Sequence, residues 1–294
     1  MRKVIFEESL HGITIDRIVR SYNYNMPTKH FHDEYELYYL LEGERYYFIE
    51  HKSYRINKGT LVLINKGQFH KTSFVNSNYH DRILIELKEE PFASFFSALG
   101  DLNLQEFFNK YSGVLKLNEK EQRYVESHLL NIASEMQNKN VGYETSVMIK
   151  LTALFIFIMR YKSNTNDNPN QINLTPKHKK VDEIASYIIE NYTNQISLDS
   201  ISKHFFISKC YLSRIFNEVT GFTVNEYINI HRIQKAQSLL LSNDYNISQI
   251  TDLVGFESIS YFVKVFKKYT ETTPLKYRKQ NMKLKQAIRK KKEE

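Results

Sequence analysis

Three features that this 294-residue sequence lacks limit what kind of protein it can be. It has a single cysteine, Cys210, which excludes an internal disulfide framework. Its longest strongly apolar run, residues 147–159, is interrupted by Lys150 and is too short to cross a bilayer core of about 30 Å. Residues 1–12 contain no apolar segment followed by a small-residue cleavage site, as a secretory leader would. We therefore expect a cytoplasmic protein that has no membrane partner.

What the sequence does contain is enough apolar material for two folded units. Hydrophobic residues make up 41% of the chain and aromatic residues 14%, and 294 residues exceed the usual size of one domain. Residues 162–177, by contrast, are rich in Asn, Ser and Thr and nearly free of large apolar side chains. This composition predicts a linker between residues 1–161 and residues 178–294.

The net charge of +8 is confined to the C-terminal part. Residues 1–174 carry 21 basic and 21 acidic side chains, whereas residues 175–294 carry 20 and 12. This asymmetry favours a polyanion as the partner of the C-terminal part. A basic tail, residues 281–294, is the alternative explanation, although the C-terminal part remains positive without it.

The C-terminal part also repeats itself. Identical residues recur at an offset of 50, namely Tyr211/Tyr261, Phe216/Phe266, Thr220/Thr270, Thr223/Thr273 and Tyr227/Tyr277. Each copy predicts a short amphipathic helix, a turn and a second helix that begins after a serine able to cap it, Ser208 or Ser258. Apolar residues recur in each second helix with helical spacing and should face a core: Leu212, Ile215, Phe216 and Val219, and Phe262, Val265, Phe266 and Tyr269.

The opposite face of each second helix is polar and cationic. With the two serines it comprises Ser208, Lys209, Cys210, Ser213, Arg214 and Asn217 in the first copy, and Ser258, Ile259, Ser260, Lys264, Lys267 and Lys268 in the second. A helix in the major groove of DNA needs donors for base edges and positive charge for phosphates. An ordinary solvated face is the alternative. The duplication favours DNA, because a helix predicted over residues 224–242 would be roughly 27 Å long and could hold two such helices near successive major grooves.

These residues resemble the DNA-binding domain of the AraC/XylS family of bacterial transcription regulators over residues 178–280. The family signature is matched by Ile250, Gly255, Phe256, Tyr261, Phe262, Phe266, Pro274, Tyr277 and Arg278. The resemblance implies that bases or phosphates are contacted by Lys209, Cys210, Ser213, Arg214, Ile259, Ser260, Tyr261 and Lys264. One residue departs from the family pattern, because Glu271 stands where glycine is usual.

The N-terminal part carries a second pattern. The spacing of the first cupin motif is matched by His30, His32, Glu36 and Gly43, and that of the second by Gly59, Gly67 and His70. Between them the sequence alternates and is rich in Tyr, Ile and Val, as the strands of a small β-barrel should be. Residues 1–90 therefore resemble the cupin-like sensor domain that many members of the family carry ahead of the DNA-binding domain.

Three uses are open to the polar residues of these motifs. His30, His32, Glu36 and His70 are a suitable set of ligands for zinc, iron or manganese. They could instead hydrogen-bond a polar effector such as a sugar, together with Tyr35, Tyr38 or Tyr47, or merely complete the polar interior of the barrel. Asn65 replaces the proline usual in the second motif, and the family keeps this pattern in sensors without catalysis. We therefore expect no metal and no enzyme, but an effector pocket formed by His30, His32, Glu36, Tyr38 and His70.

Residues 91–161 complete the predicted architecture. They contain two amphipathic stretches, 118–139 and 143–161, whose wide apolar faces fit packing against the barrel or dimerisation. The predicted fold is thus α+β and multidomain, with a cupin-like β-barrel, a helical dimerisation segment, a linker and an all-α double helix-turn-helix domain. The resemblance implies duplex DNA, a small-molecule effector such as a carbohydrate, a second copy of the chain and RNA polymerase as partners, and no cofactor. A cupin metalloenzyme fused to a nucleic-acid-binding domain is the alternative.

Overall fold

The computed structural model describes residues 1–26, 33–75, 78–90, 95, 103–164, 174–242 and 244–282. The chain divides into two compact units, Met1–Lys179 and Lys180–Glu294. His30 and His32 lie outside the described residues, as does most of the predicted basic tail. The first unit is built on a β-sheet and the second on helices.

Within the described residues the sheet of the first unit has eight strands, and all their pairings are antiparallel. They are β1 (Arg2–Leu10), β2 (Ile13–Ser21), β3 (Tyr35–Ile49), β4 (Lys52–Asn57), β5 (Thr60–Ile64), β6 (His70–Phe74), β7 (Tyr79–Leu87) and β8 (Gly113–Lys116). Six of them follow the order β1-β2-β7-β3-β5-β8, and β4 and β6 also pair with β3. The β-rich N-terminal domain predicted from the alternating sequence is confirmed.

The long strand β3 serves two sets of neighbours. Its N-terminal half pairs with β5 and β7, and its C-terminal half with β4 and β6. A bulge between Leu40 and Glu42 lies close to where the partners change, and Gly43 follows it with a φ of 95°. A Cβ atom on Gly43 would lie 2.4 Å from the carbonyl oxygen of Tyr79, so only glycine fits there. The bulge also shifts by one residue which side chains of β3 point to each face.

One face of the sheet is covered by helices. These are α1 (Leu104–Tyr111), α2 (Glu119–Asn138) and α3 (Tyr143–Asn164). Tyr35, Leu37 and Tyr39 of β3 share a buried core with side chains of all three helices, including Phe108 and Phe155. Because β8 pairs with β5 as well, the stretch predicted as a separate helical segment packs as part of the first unit. The opposite face of β3 belongs to another buried cluster, which includes Tyr38, Leu40 and Tyr47.

The second unit holds the sequence repeat. Its helices are α4 (Pro176–Asn191), which begins in the first unit, α5 (Leu198–His204), α6 (Lys209–Thr220), α7 (Val224–Ser242), α8 (Ile247–Leu253) and α9 (Ile259–Thr270), and residues 274–282 are also helical. Helices α5 and α6 form one helix-turn-helix, α8 and α9 form the other, and α7 joins them. The predicted all-α domain with two helix-turn-helix units is confirmed.

The predicted linker, residues 162–177, overlaps helices at both ends. Helix α3 continues to Asn164, and α4 already begins at Pro176. The hydroxyl of Thr175 accepts a hydrogen bond from the backbone N–H of His178 at 3.4 Å, and proline is favoured at the first position of a helix. The Thr-Pro pair is therefore a helix start, which the polar composition around it concealed.

Candidate functional site

The second helix of the first helix-turn-helix, α6, is fixed at both ends. The hydroxyl of Ser208 accepts a hydrogen bond from the backbone N–H of Tyr211, and Gly221 ends the helix in the left-handed conformation with a φ of 82°. The predicted core positions Leu212, Ile215, Phe216 and Val219 are all buried. The opposite face is exposed at Ser208, Lys209, Cys210, Arg214 and Asn217 and half-buried at Ser213.

Carboxylates of the same helix-turn-helix touch two cations of this face. The Nζ of Lys209 lies 2.5 Å from a carboxylate oxygen of Asp199, on helix α5. Hydrogen bonds from Lys203 and Lys209 lower the pKa of Asp199 to about 2. Arg214 is 3.3 Å from Glu218, one turn further along α6. Both pairs are exposed to solvent, so phosphates can displace the carboxylates at little cost.

Helix α9 of the second helix-turn-helix carries a stronger positive charge. Ser258 caps it by accepting from the backbone N–H of Tyr261, and Phe262, Val265 and Phe266 are buried as predicted, whereas Tyr269 is only half-buried. The opposite face exposes Ser258, Ile259, Ser260, Tyr261, Lys264, Lys267 and Lys268. Helix α9 contains no acidic residue of its own. The hydroxyl of Tyr261 accepts from the amide of Asn229 at 3.3 Å, which ties α9 to α7.

The turns of the two helix-turn-helix units differ at one backbone position. Phe206 has a φ of 54° and is 94% exposed, and Gly255 has a φ of 86° at the equivalent place. A Cβ atom on Gly255 would lie 2.5 Å from the carbonyl oxygen of Thr193. The exposed phenyl group beside the cap of α6 is a feature that the sequence repeat did not predict, because the aligned stretches begin at Tyr211 and Tyr261, after the turn.

The interior of the sheet unit brings together part of the predicted effector pocket. The hydroxyl of Tyr47 donates to a carboxylate oxygen of Glu36 at 2.9 Å, and the other oxygen lies 3.3 Å from Nε2 of His70. Glu36, Tyr38, Tyr47 and His70 are all buried, and burial raises the pKa values of both tyrosines. Tyr35, which the sequence offered as an alternative beside Tyr38 and Tyr47, instead stacks on Phe108 on the opposite face of β3.

Two arginines that the sequence reasoning missed lie in the same unit. Arg20 and Arg45 are 8% and 1% exposed, and both guanidinium groups lie over the ring of Tyr24, at 4.0 and 5.7 Å from its centroid. Arg20 is also 3.5 Å from Nε2 of His80. Arg20 follows the buried Ile18 at the strand period of two, which was a usable signal. The inward direction of Arg45 depends on the bulge in β3 and had no such signal.

The described residues contain neither a cluster of metal ligands nor a helix able to span a membrane. No group of three or more His, Cys, Asp or Glu side chains among them is placed to hold a metal ion. Two members of the predicted ligand set, His30 and His32, lie outside these residues, so that set stays a prediction. None of the described helices combines the length and the hydropathy needed to span a membrane.

Several bacterial regulators are similar to this chain. The uncharacterized HTH-type transcriptional regulator YijO of Escherichia coli (strain K12) is 31% identical over 156 residues, 52% of each chain. Regulatory protein PocR of Salmonella typhimurium is 31% identical over 121 residues, 39% of this chain and 40% of PocR. The regulator YdeC of Bacillus subtilis (strain 168) is 24% identical over 260 residues, 86% of each chain. The chain thus spans about half or less of the length of the first two relatives.

Two family matches coincide with the two parts of the fold. Residues 14–155 match the AraC-like ligand binding domain, and they include most of the strands of the sheet and most of the helices that cover it. Residues 201–280 match the helix-turn-helix domain and include both α6 and α9. The matches, the duplicated helix-turn-helix and the antiparallel sheet domain agree with one another, and the chain belongs to the AraC/XylS family of transcription regulators.

Proposed function

We propose that this protein is a sequence-specific DNA-binding transcription regulator, controlled by a small-molecule effector that binds inside the sheet unit. The observation that carries the proposal is the pair of capped helices α6 and α9. Each buries one apolar face and exposes a polar, cationic one. Membership of the family supports the same role, because this chain matches both an AraC-like ligand binding domain and a helix-turn-helix domain.

The chemistry of the two exposed faces suits different parts of a DNA site. In helix-turn-helix proteins the N-terminal residues of the second helix contact base edges, whereas lysines contribute salt-dependent affinity through phosphates. The serines and Arg214 offer hydrogen-bond donors of the first kind. Lys264, Lys267 and Lys268 provide a dense positive charge of the second kind on a helix without acidic residues. We infer that α6 and α9 each enter a major groove of one DNA site.

Selection of duplex DNA from a random pool by the full-length protein tests this function. We expect an enriched sequence with two conserved segments about one helical turn, 10–10.5 base pairs, apart. Binding should weaken steeply as the salt concentration rises, because phosphate contacts release counterions. A protein that enriches no sequence, or retains DNA only at low salt, would not be the regulator proposed.

The effector is proposed to be a polar molecule with several hydroxyl groups, such as a carbohydrate. Buried hydroxyl, imidazole and carboxylate groups of Tyr38, Tyr47, His70 and Glu36 can satisfy the hydroxyls of such a ligand by donating or accepting hydrogen bonds. This buried polar set also favours a sensor over a passive core, because apolar side chains would fill the interior at lower cost.

A homodimer and a contact with RNA polymerase are further parts of the proposal. Support for the dimer comes from helices α2 and α3, where Leu130, Ile149 and Ile156 remain exposed although other side chains of the same helices pack on the sheet. Replacing Ile149, which is 58% exposed, by glutamate should convert a dimer to a monomer in sedimentation without unfolding it. An unchanged sedimentation mass would place any dimer contact elsewhere. The proposal includes no catalytic activity.

A further inference from the structure

The strand register brings two arginines to one place in the sheet unit. Arg20 on β2 is paired with His80 on β7, and Gly43 on β3 is paired with the same histidine. Arg45 follows two residues after Gly43, beyond the bulge. The ring of Tyr24 lies against both guanidinium groups, so the two cations meet on one aromatic side chain.

Neither guanidinium is matched by a carboxylate in the part of the chain that the structure describes. Arg45 donates to the carbonyl oxygen of Tyr24 at 2.7 Å and to the hydroxyl of Thr72 at 3.4 Å. The Nε atoms of Arg20 and Arg45 are buried and have no hydrogen-bond partner among the described residues. Neighbouring arginines of the same sheet are paired differently: Arg17 contacts Asp81, and Arg82 contacts Asp16.

Two buried guanidinium groups close together without a paired carboxylate are energetically costly. A buried charge is normally paired, and two like charges close together raise the cost further. Burial lowers the pKa of Arg45, and the nearby charge of Arg20 lowers it further. Burial and the two arginines lower the pKa of His80 to about 3, so the imidazole between them is neutral at pH 7. A bound anion would supply the missing countercharge and accept hydrogen bonds from the free guanidinium donors.

We propose that the effector carries a negatively charged oxygen group, a carboxylate or a phosphate, which binds between Arg20 and Arg45. The inference rests on the proposed function only in taking this ligand to be the effector. The hydroxyl of Thr72, bonded to Arg45, lies at the same place and can donate to such a group. The ligand is therefore a polar acid, such as a sugar acid or a sugar phosphate, rather than a neutral sugar.

Thermal unfolding of the full-length protein tests the charge requirement. Inorganic phosphate, gluconate and glucose are compared at constant ionic strength, which removes general salt effects. We expect phosphate, gluconate or both to raise the Tm by about 2–4 °C when present at about five times the Kd, and glucose to do so less or not at all. Whichever anion acts identifies a phosphate or a carboxylate as the preferred group.

Two variants and one matched control locate the site. Arg45→Gln and Arg20→Gln should each abolish the rise in Tm, whereas Arg17→Gln, which removes the same charge from a paired arginine three residues from Arg20, should retain it. If Arg45→Gln has no cooperative unfolding transition, Arg20→Gln decides. No rise with either anion, an equal rise with glucose, or loss of the response in Arg17→Gln would overturn the proposal. The DNA selection described above is independent of these results, so failure of the anion site and failure of the regulator function can be told apart.

Discussion

At the scale of the residue, each helix-turn-helix unit has one left-handed residue in its turn and another after its second helix. The two units place glycine at different ones of these two positions. The first has Phe206 in its turn and Gly221 after its second helix, whereas the second has Gly255 in the turn and Glu271 after the helix. All four have positive φ values, 54°, 82°, 86° and 58° in that order. Since a left-handed conformation costs a residue with a Cβ atom roughly 1–2 kcal/mol, each unit carries strain at one position that its copy avoids.

Relieving this strain should stabilise the second unit. We expect Glu271→Gly to raise the free energy of unfolding by about 0.5–1 kcal/mol, because glycine adopts the left-handed conformation without a steric penalty but loses more entropy on folding. Urea unfolding measures the change. Gly221→Ala, at the equivalent position of the first unit, is the control and should destabilise. A Glu271→Gly protein that is no more stable would mean that the glutamate makes a compensating interaction.

At the scale of the element, the exposed faces of α6 and α9 can be tested for what they read. Arg214→Ala or Lys264→Ala should weaken binding to the selected sequence by about 1–3 kcal/mol if the residue contacts a base. Equal weakening on all sequences would make it a phosphate contact. Titration of labelled duplexes measures both, and Lys235→Ala, an exposed lysine on α7, should have little effect. If neither substitution on α6 or α9 changes affinity, these faces do not bind DNA.

The ion pair between α5 and α6 gives a second prediction at this scale. Asp199 contacts both Lys203 and Lys209 and brings a negative charge beside the exposed face of α6. Asp199→Asn should therefore strengthen DNA binding and steepen its salt dependence, because Lys209 becomes free to contact a phosphate. Glu183→Gln, which removes a carboxylate paired with Lys180 on α4, should change neither. Weaker binding by Asp199→Asn would show that the pair positions Lys209 for DNA.

The elements themselves were predicted from sequence where one periodicity governed them. The spacing of Leu212, Ile215 and Phe216 was enough to predict the buried face of α6, since a capped helix follows a single period. Strand β3 broke its period at the bulge after Leu40, so the inward direction of Arg45 could not be predicted. Tyr35 shares its parity with Leu37 and not with Glu36, and it lies in the core that the helices cover.

At the scale of the whole molecule, metal removal separates a regulator from a metalloenzyme. His30, His32, Glu36 and His70 have suitable identities for a metal site. We expect protein purified without added metal to contain far less than one zinc, iron or manganese per chain, and to bind its DNA sequence equally well in a chelator. Elemental analysis measures the first and a DNA-shift assay the second. One tightly held metal per chain that is lost in both His30→Ala and His70→Ala would contradict this expectation.

Communication between the two units is also a property of the whole molecule. A ligand in the sheet unit can change DNA affinity only if it binds two states of the protein differently, and DNA must then change ligand affinity by the same factor. Glu36→Gln keeps an oxygen that can accept from Tyr47 but removes the charge beside His70. The effector in this experiment is the compound that causes the largest rise in the Tm of the unsubstituted protein. We expect the Glu36→Gln variant to bind DNA normally without this compound. We expect the compound to change the DNA affinity of the variant much less than that of the unsubstituted protein.

Fluorescence anisotropy of labelled DNA, with and without that compound, measures both quantities on one sample. Glu42→Gln is the matched control, because Glu42 is also on β3 but contacts the exposed Lys58; it should change neither quantity. If Glu36→Gln instead weakens DNA binding in the absence of the compound, the carboxylate supports the folded state that binds DNA. The interior of the sheet would then stabilise the regulator without sensing a ligand through Glu36.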